Sequence, residues 1–286
     1  MKTVILLFFA FAISLAAQKN KINFEIDHVN VVVKDLSNAE FYLNNRLGFS
    51  TKPGKLHENS INNFFIKFKD KSYLEFLTAS KIKDDLTKYY VSLIRENPAG
   101  APAFLFLRIN TEKEFQQFET NLLQSGIESI KEDLGYAQII SFDDEDLWNI
   151  VFIYYKSPVE DLPKYLTHEN TAISLNSVWV NTSHSKLLIK KLRLLGFDIK
   201  ETQTLPIGDF PGFKIELKNK AIFFSNFSGD NFIQGITIEI KNMKHTLSHL
   251  TNKTNYGYDL LISSRGALTL LNPKASFGMW IELLEK

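Results

Sequence analysis

The order strand, helix, three strands recurs four times along the 286 residues, and no other feature restricts the fold of this chain so tightly. Four weakly similar units of this kind mean an internal repeat, and the length is enough for two domains that each bury a core of their own. The first unit is the clearest. "IDHVNVVV" alternates as a half-buried strand, with Asp27, Val29, Val31 and Val33 expected on one face and His28, Asn30 and Val32 on the other. "DLSNAEFYLNNRLGF" then opens with Asp35 as an N-cap, aligns Leu36, Ala39, Phe41, Leu43 and Leu47 largely along one helix face, and stops at Gly48. "FSTKPGKL", "NNFFIKFKD" and "SYLEFLT" follow as short strands separated by Pro53-Gly54 and Asp70-Lys71.

The later units open with "AFLFLRIN", "NSVWVNT" and "GITIEIKN", and "RLGF" at 46–49 is echoed by "LLGF" at 194–197, where a helix again gives way to a strand. Two segments interrupt the series. Residues 80–101 carry the helical stretch "KDDLTKYYVSLIREN", ended by Pro98 and Gly100, and read as an excursion between the first two units. Residues 156–170, with Pro158 and Pro163, read as a linker. The expected organisation is one domain over 21–155 and a second over 171–286, α+β in class.

Residues 1–17 stand apart. A lysine at position 2, an apolar run and the pair Ala16-Ala17 form the pattern of a secretory signal peptide, cleaved after Ala17. The expected location is therefore periplasmic or secreted, with no stable membrane insertion after cleavage, because the apolar run is shorter than the roughly 20 residues a span needs. With no cysteine in the chain, disulfides contribute nothing and stability rests on packing. A net charge of +1 and the absence of a basic cluster speak against a nucleic-acid partner. The expected partner is a small-molecule ligand, with a homodimer as an admissible assembly.

Two residues of the first unit call for explanation. A histidine on an apolar strand is either bonded to a neighbouring carbonyl or part of a site, which leaves His28 open. Glu75, in "YLEFLT", faces the same way as Tyr73 and Leu77, and a carboxylate there costs several kcal/mol of desolvation unless a cation or a donor meets it. His28 or a metal ion is the natural partner.

The tandem βαβββ order, opened by "IDHVNVVVKDLSNAEFYLNNRLGF" and continued by "GKLHENSINNFFIKFKDKSYLEFLT", resembles the vicinal oxygen chelate superfamily, and within it the glyoxalase-like proteins. The resemblance implies two domains, each a cup-shaped mixed sheet built from a pair of units. It implies metal ligands on the first and last strands of each unit, which places His28 and Glu75 as ligands, with Glu75 also the candidate catalytic carboxylate. The implied cofactor is a divalent ion such as iron, manganese, nickel or zinc. His57, in "GKLHENS", is the candidate third ligand. The second unit departs from the pattern, with Phe104 where a histidine ligand belongs and Val151 where a glutamate belongs. In the second domain Asn176 is expected in the place of His28, Phe224 in that of Glu75 and Gly235 at the next position, with Glu282 alone matching.

Arg108, Asn30, Asn63 and Phe104 are the candidate substrate-binding residues. Arg108 suits a ligand carboxylate, or alternatively an ion pair at the sheet rim or with Glu75. Two functional classes follow from the resemblance. One is a metal-dependent lyase, isomerase or dioxygenase acting on a small molecule with vicinal oxygens. The other is a metal-free binding or sequestering protein of the bleomycin-resistance type.

Overall fold

The computed structural model describes residues 22–158, 160–183, 187–206, 208–227, 229–253, 259–263 and 266–286. The expected signal peptide, at 1–17, lies outside them. No helix among the described residues is long and apolar enough to cross a membrane.

Each half of the chain forms one mixed eight-stranded sheet. In the first half β1 (Phe24–Val32) runs parallel to β4 (Tyr73–Ala79) and antiparallel to β5 (Ala101–Ile109), and β5 runs parallel to β8 (Ile150–Tyr155). The parallel pairs need crossovers, supplied by α1 (Leu36–Asn45) and α3 (Glu112–Ser125). The edges are β2 (Lys52–Leu56) with β3 (Ile61–Lys67), and β6 (Ile130–Asp133) with β7 (Ala137–Ser141), giving the order β2-β3-β4-β1-β5-β8-β7-β6. The second half repeats this order with β9 (Ala172–Asn181) and β13 (Ile233–Ile240) at its centre, flanked by β12 (Lys220–Ser225) and β16 (Trp280–Glu285). The fold is thus α+β, two open, cup-like sheets of four βαβββ modules.

Local chemistry accounts for the helix ends. The Asp35 carboxylate accepts from the Asn38 backbone N–H at the start of α1, a cap worth about 1 kcal/mol. The shared "LGF" has a conformational cause: Gly48 and Gly196 both adopt left-handed φ angles, +72° and +98°, that a side chain disfavours. The basic segment around α4 (Leu188–Leu194) is a packed helix, with Leu188 and Leu192 buried and Lys191 paired to Asp144 and Asp146.

One apolar core runs through both halves, on the faces of the sheets that carry the crossover helices. Phe24 of β1 stacks on Phe197 at 4.4 Å and meets Phe118 and Phe152 edgewise or tilted. The segment expected as a linker is stitched into this junction. The Asn170 side chain donates to the Leu47 carbonyl at 2.7 Å, the Leu175 N–H donates to Ser72 Oγ at 3.0 Å, and Lys220 pairs with Asp70 at 2.6 Å. His168 is buried between two backbone groups: its Nδ1 accepts from the Ser50 N–H at 3.0 Å, and its Nε2 donates to the Lys67 carbonyl at 2.9 Å.

That geometry admits only the neutral ring, since a proton on Nδ1 would face the Ser50 N–H. Burial drives the His168 pKa down to about 4, against the pull of the Lys67 carbonyl. The unfolded chain, with an ordinary histidine, takes up a proton first, so stability present above about pH 6.5 is lost as pH falls towards about 4, by roughly 3 kcal/mol. In an NMR titration His168 is expected to stay neutral at pH 5.5; a midpoint near 6.5 would contradict this packing.

Candidate functional site

The concave face of the first sheet opens into a cleft of about 1040 Å³. Its floor is set by an irregularity in β1: the pairing with β5 slips between Ile26 and His28. A bulge of this kind turns two successive side chains to one side. Asp27, expected on the core face, therefore joins His28 in the cleft wall, and the strict alternation expected for "IDHVNVVV" fails there.

Asp27 is fully buried and fully partnered. One carboxylate oxygen accepts from His28 Nδ1 at 2.7 Å and from the Tyr155 hydroxyl at 3.0 Å, and the other from Arg108 Nη1 at 3.2 Å. Burial pushes its pKa up, but His28, Arg108 and Tyr155 outweigh that penalty and hold the carboxyl below the usual range. Arg108 also donates to Glu25 at 2.6 Å. The His28 ring is sandwiched between Tyr73 at 4.2 Å and Phe106 at 3.9 Å, both nearly parallel to it, so only its edges are free to bond. With Nδ1 donating to Asp27, Nε2 points to Glu75 at 3.6 Å. Glu75 accepts from Asn63 Nδ2 at 2.6 Å, and Asn63 Oδ1 accepts from the Lys55 N–H at 2.9 Å. The Tyr73 and Tyr155 hydroxyls meet at 3.1 Å, and burial raises the pKa of both, so they stay protonated. Chemically, the wall is a relay of Arg108, Asp27, His28 and Glu75 that can orient a polar group or exchange a proton at the Glu75 end.

His28 faces Phe106 across the β1/β5 pair, Asn30 is partnered by Glu75, and Phe106 by Val151. The internal two-fold that exchanges β1 and β5 therefore matches His28 to Phe104 and Glu75 to Val151. Two of the four positions at which the resemblance implies ligands carry apolar side chains, only 7% and 5% exposed. They are covered by α2 (Asp85–Glu96), the excursion helix, whose Tyr89 and Tyr90 lie against Phe104 and whose start is capped by a reciprocal Asp84–Thr87 pair. Among the described residues no three histidine or acidic side chains are gathered as a metal site, so the residues present do not fit a resident multi-ligand metal ion.

The other candidates fall in two groups. Glu75, Asn63, His57 and Arg108 line the cleft, but His57 is not clustered with His28 and Glu75, and its role as third ligand is not supported. Arg108 is paired with Glu25 and Asp27, so of the two ion-pair alternatives the partner is not Glu75 but carboxylates of the neighbouring strand β1. Phe104 and Asn30 do not line the cleft; both are buried on the stretch of the concave face where α2 packs, and the Asn30 Oδ1 has no hydrogen-bond partner. Asp27, Tyr155 and Lys67 escaped the sequence reading, because a bulge and a strand end carry no periodic signal.

In the second half, register corrects two positions by one residue. Ser177 faces Thr237, and Trp179 pairs with Phe223 and with Gly235. Ser177 and Phe223, not Asn176 and Phe224, therefore correspond to His28 and Glu75; Gly235 and Glu282 keep their places. Asn176 instead bonds Glu239 and the Asn219 carbonyl, and Phe224 belongs to the shared core. The Trp179 indole fills this cup: a Cβ on Gly235 would lie 2.4 Å from its ring, and its N–H donates to Thr237 at 3.1 Å. Thr237 in turn donates to the buried Glu282 at 2.5 Å.

If Arg108 holds the relay together, Arg108→Ala leaves Asp27 buried without its cation and is expected to cost about 3–5 kcal/mol in urea unfolding at pH 7. A loss under about 1 kcal/mol would mean that the pair is solvent-screened and structurally idle.

The glyoxalase-like domain family matches residues 26–198, more than half of the chain. No curated protein matches it in sequence. Among solved structures it is similar to a hypothetical protein from Staphylococcus aureus, with a TM-score of 0.61 and 12% identity over 92% of this chain and 99% of that one. It is likewise similar to a catechol 2,3-dioxygenase (TM-score 0.63, 12% identity, 92% of this chain and 87% of that one). The 2,3-dioxygenase LapB from Pseudomonas sp. KL28 gives a TM-score of 0.62 at 14% identity, over 93% of both chains. At such identities these likenesses bear on the fold. The family match, with the register of both sheets, makes this chain a member of the glyoxalase-like family of the vicinal oxygen chelate superfamily.

Proposed function

We propose that the protein binds a small organic molecule in the cleft of its first half without a resident metal centre, in the manner of the metal-free binding members of its superfamily. The observation that carries this reading is the substitution of half the ligand set by Phe104 and Val151, sealed by α2, beside a cleft that stays open and is walled by Phe65, Tyr73, Phe106 and Tyr136. Aromatic walls with a few fixed polar groups are the usual make-up of a small-molecule site. Asn63 and Glu75 supply a donor-acceptor pair on the floor, and the His28–Asp27 pair fixes their orientation from behind.

A second reading is supported by His28 and Glu75, which the resemblance implies as ligands and whose side chains approach to 3.6 Å. On that reading the protein is a metal-dependent enzyme, a dioxygenase like its structural neighbours or a lyase or isomerase, using iron, manganese, nickel or zinc. Two protein donors alone would make a weak metal site.

Metal analysis and chelation separate the two. Dialysis against EDTA is expected to leave thermal stability unchanged, and wild type, His28→Ala and Glu75→Ala are expected to carry equal, negligible metal. A bound metal at a hundred times its dissociation constant would add about 2.7 kcal/mol, so a fall in Tm on chelation, reversed by added metal, would overturn the first reading. Consumption of catechol with added ferrous iron, abolished by Glu75→Ala, would establish the second.

We propose that the protein is exported, on the lysine, apolar run and Ala16-Ala17 pair of residues 1–17. N-terminal sequencing of the mature protein is expected to begin at Gln18, and a retained Met1 would refute cleavage.

A further inference from the structure

Lys67 closes β3 on the wall of the cleft and takes no part in the relay. The residue is only 9% exposed. Its Nζ lies 3.3 Å from the centroid of the Tyr73 ring and 4.9 Å from that of Phe65. No carboxylate among the described residues reaches ion-pair distance of it, because each nearby acid is engaged elsewhere. Asp161, on the connector, pairs with Lys52 of β2. Asp27, on β1, is saturated by His28, Arg108 and Tyr155, and Glu75, on β4, accepts from Asn63 and faces His28 Nε2 at 3.6 Å. The carbonyl of Lys67 is held by His168, which fixes the backbone at this point.

A lysine buried against aromatic rings, near a second cation and without a counter-ion, is the setting in which an amine loses its proton most readily. Burial lowers the pKa of Lys67 first; Asp161 and Asp27 pull it up, Lys52 pushes it down, and the balance stays below the usual lysine range. The amine nevertheless faces a volume large enough for a ligand.

We propose that Lys67 is an amine nucleophile that forms an imine with a carbonyl-bearing small molecule in this cleft. The proposal rests on the cleft being the ligand site. The nitrogen attacks the carbonyl carbon and forms the C–N bond. Its two protons leave with the carbonyl oxygen as water, so the step needs no oxidant or reductant. Tyr73, kept protonated by burial and by Asp27, offers a hydroxyl on the same wall as a proton donor.

The test uses propanal with sodium cyanoborohydride at pH 7 on the intact protein, followed by peptide mass mapping. Lys67 is expected to be alkylated several-fold faster than Lys218, whose side chain is 76% exposed and serves as the internal reference. The rapid incorporation of one equivalent is expected to vanish in Lys67→Arg, which keeps the cation and its ring contacts, and to slow in Lys52→Met, which removes the neighbouring cation. Labelling of Lys67 no faster than Lys218, or a rapid equivalent that persists in Lys67→Arg, would overturn the proposal. Propanal needs no specific recognition, so uniform labelling beside intact ligand binding defeats only the lysine assignment. Loss of the binding reading would leave the labelling rates meaningful.

Discussion

The antiparallel pairing of β1 with β5 is the constraint on which the rest of this molecule depends. Each strand also carries a parallel neighbour, β4 or β8, so that one pair of strands joins two modules into a single sheet. The slip in that pairing beside His28 brings Asp27 onto the concave face. Had the ladder stayed regular with Val29 and Val31 in the core, Asp27 would have shared their face, where a lone carboxylate is not tolerated. The bulge and the charge cluster therefore require one another.

Electrostatics and packing divide the cup between them. Towards one end Arg108, Asp27, His28 and Glu75 form a chain of paired groups in which each charge is answered by a neighbour, as burial demands. Towards the other, α2 lays Tyr89, Tyr90 and Leu86 over Phe104, Val151 and Val32, and water is excluded. The position where four ligands would converge lies at the boundary of these two regions. Phe104 and Val151, the two implied ligand positions on the apolar side, offer no donor. The second cup reaches a similar end by a different route, with the Trp179 indole standing where a ligand would stand.

Much of this was legible in the residues. The strand-helix-strand order, the Asp35 cap and the "LGF" turns reported the modules, since periodicity and positive φ are local properties. His28 and Glu75 were visible because a polar residue on an apolar strand is conspicuous wherever the strand goes. Phe104 and Val151 were legible as vacancies by counting along the second unit. What failed was counting across irregularities. Asp27 was assigned to the wrong face by a bulge, and Asn176 and Phe224 each stood one residue from the positions that strand pairing gives to Ser177 and Phe223. A one-residue slip reverses a side chain's face, so an error too small to affect the fold is large enough to misname a site.

The sequence by itself determined the modules, because hydrophobic spacing along a continuous stretch of chain sets them, and it showed a histidine and a glutamate on apolar strands; the two-sheet pairing and the ligand roles of those residues came from the resemblance. Only the tertiary structure decided that Arg108 serves Asp27, that α2 covers Phe104 and Asn30, and that Lys67 faces the cleft with every nearby carboxylate already taken. These are relations between segments far apart in the chain. Burial and charge pairing depend on which groups meet in space, and no spacing within a single strand encodes that.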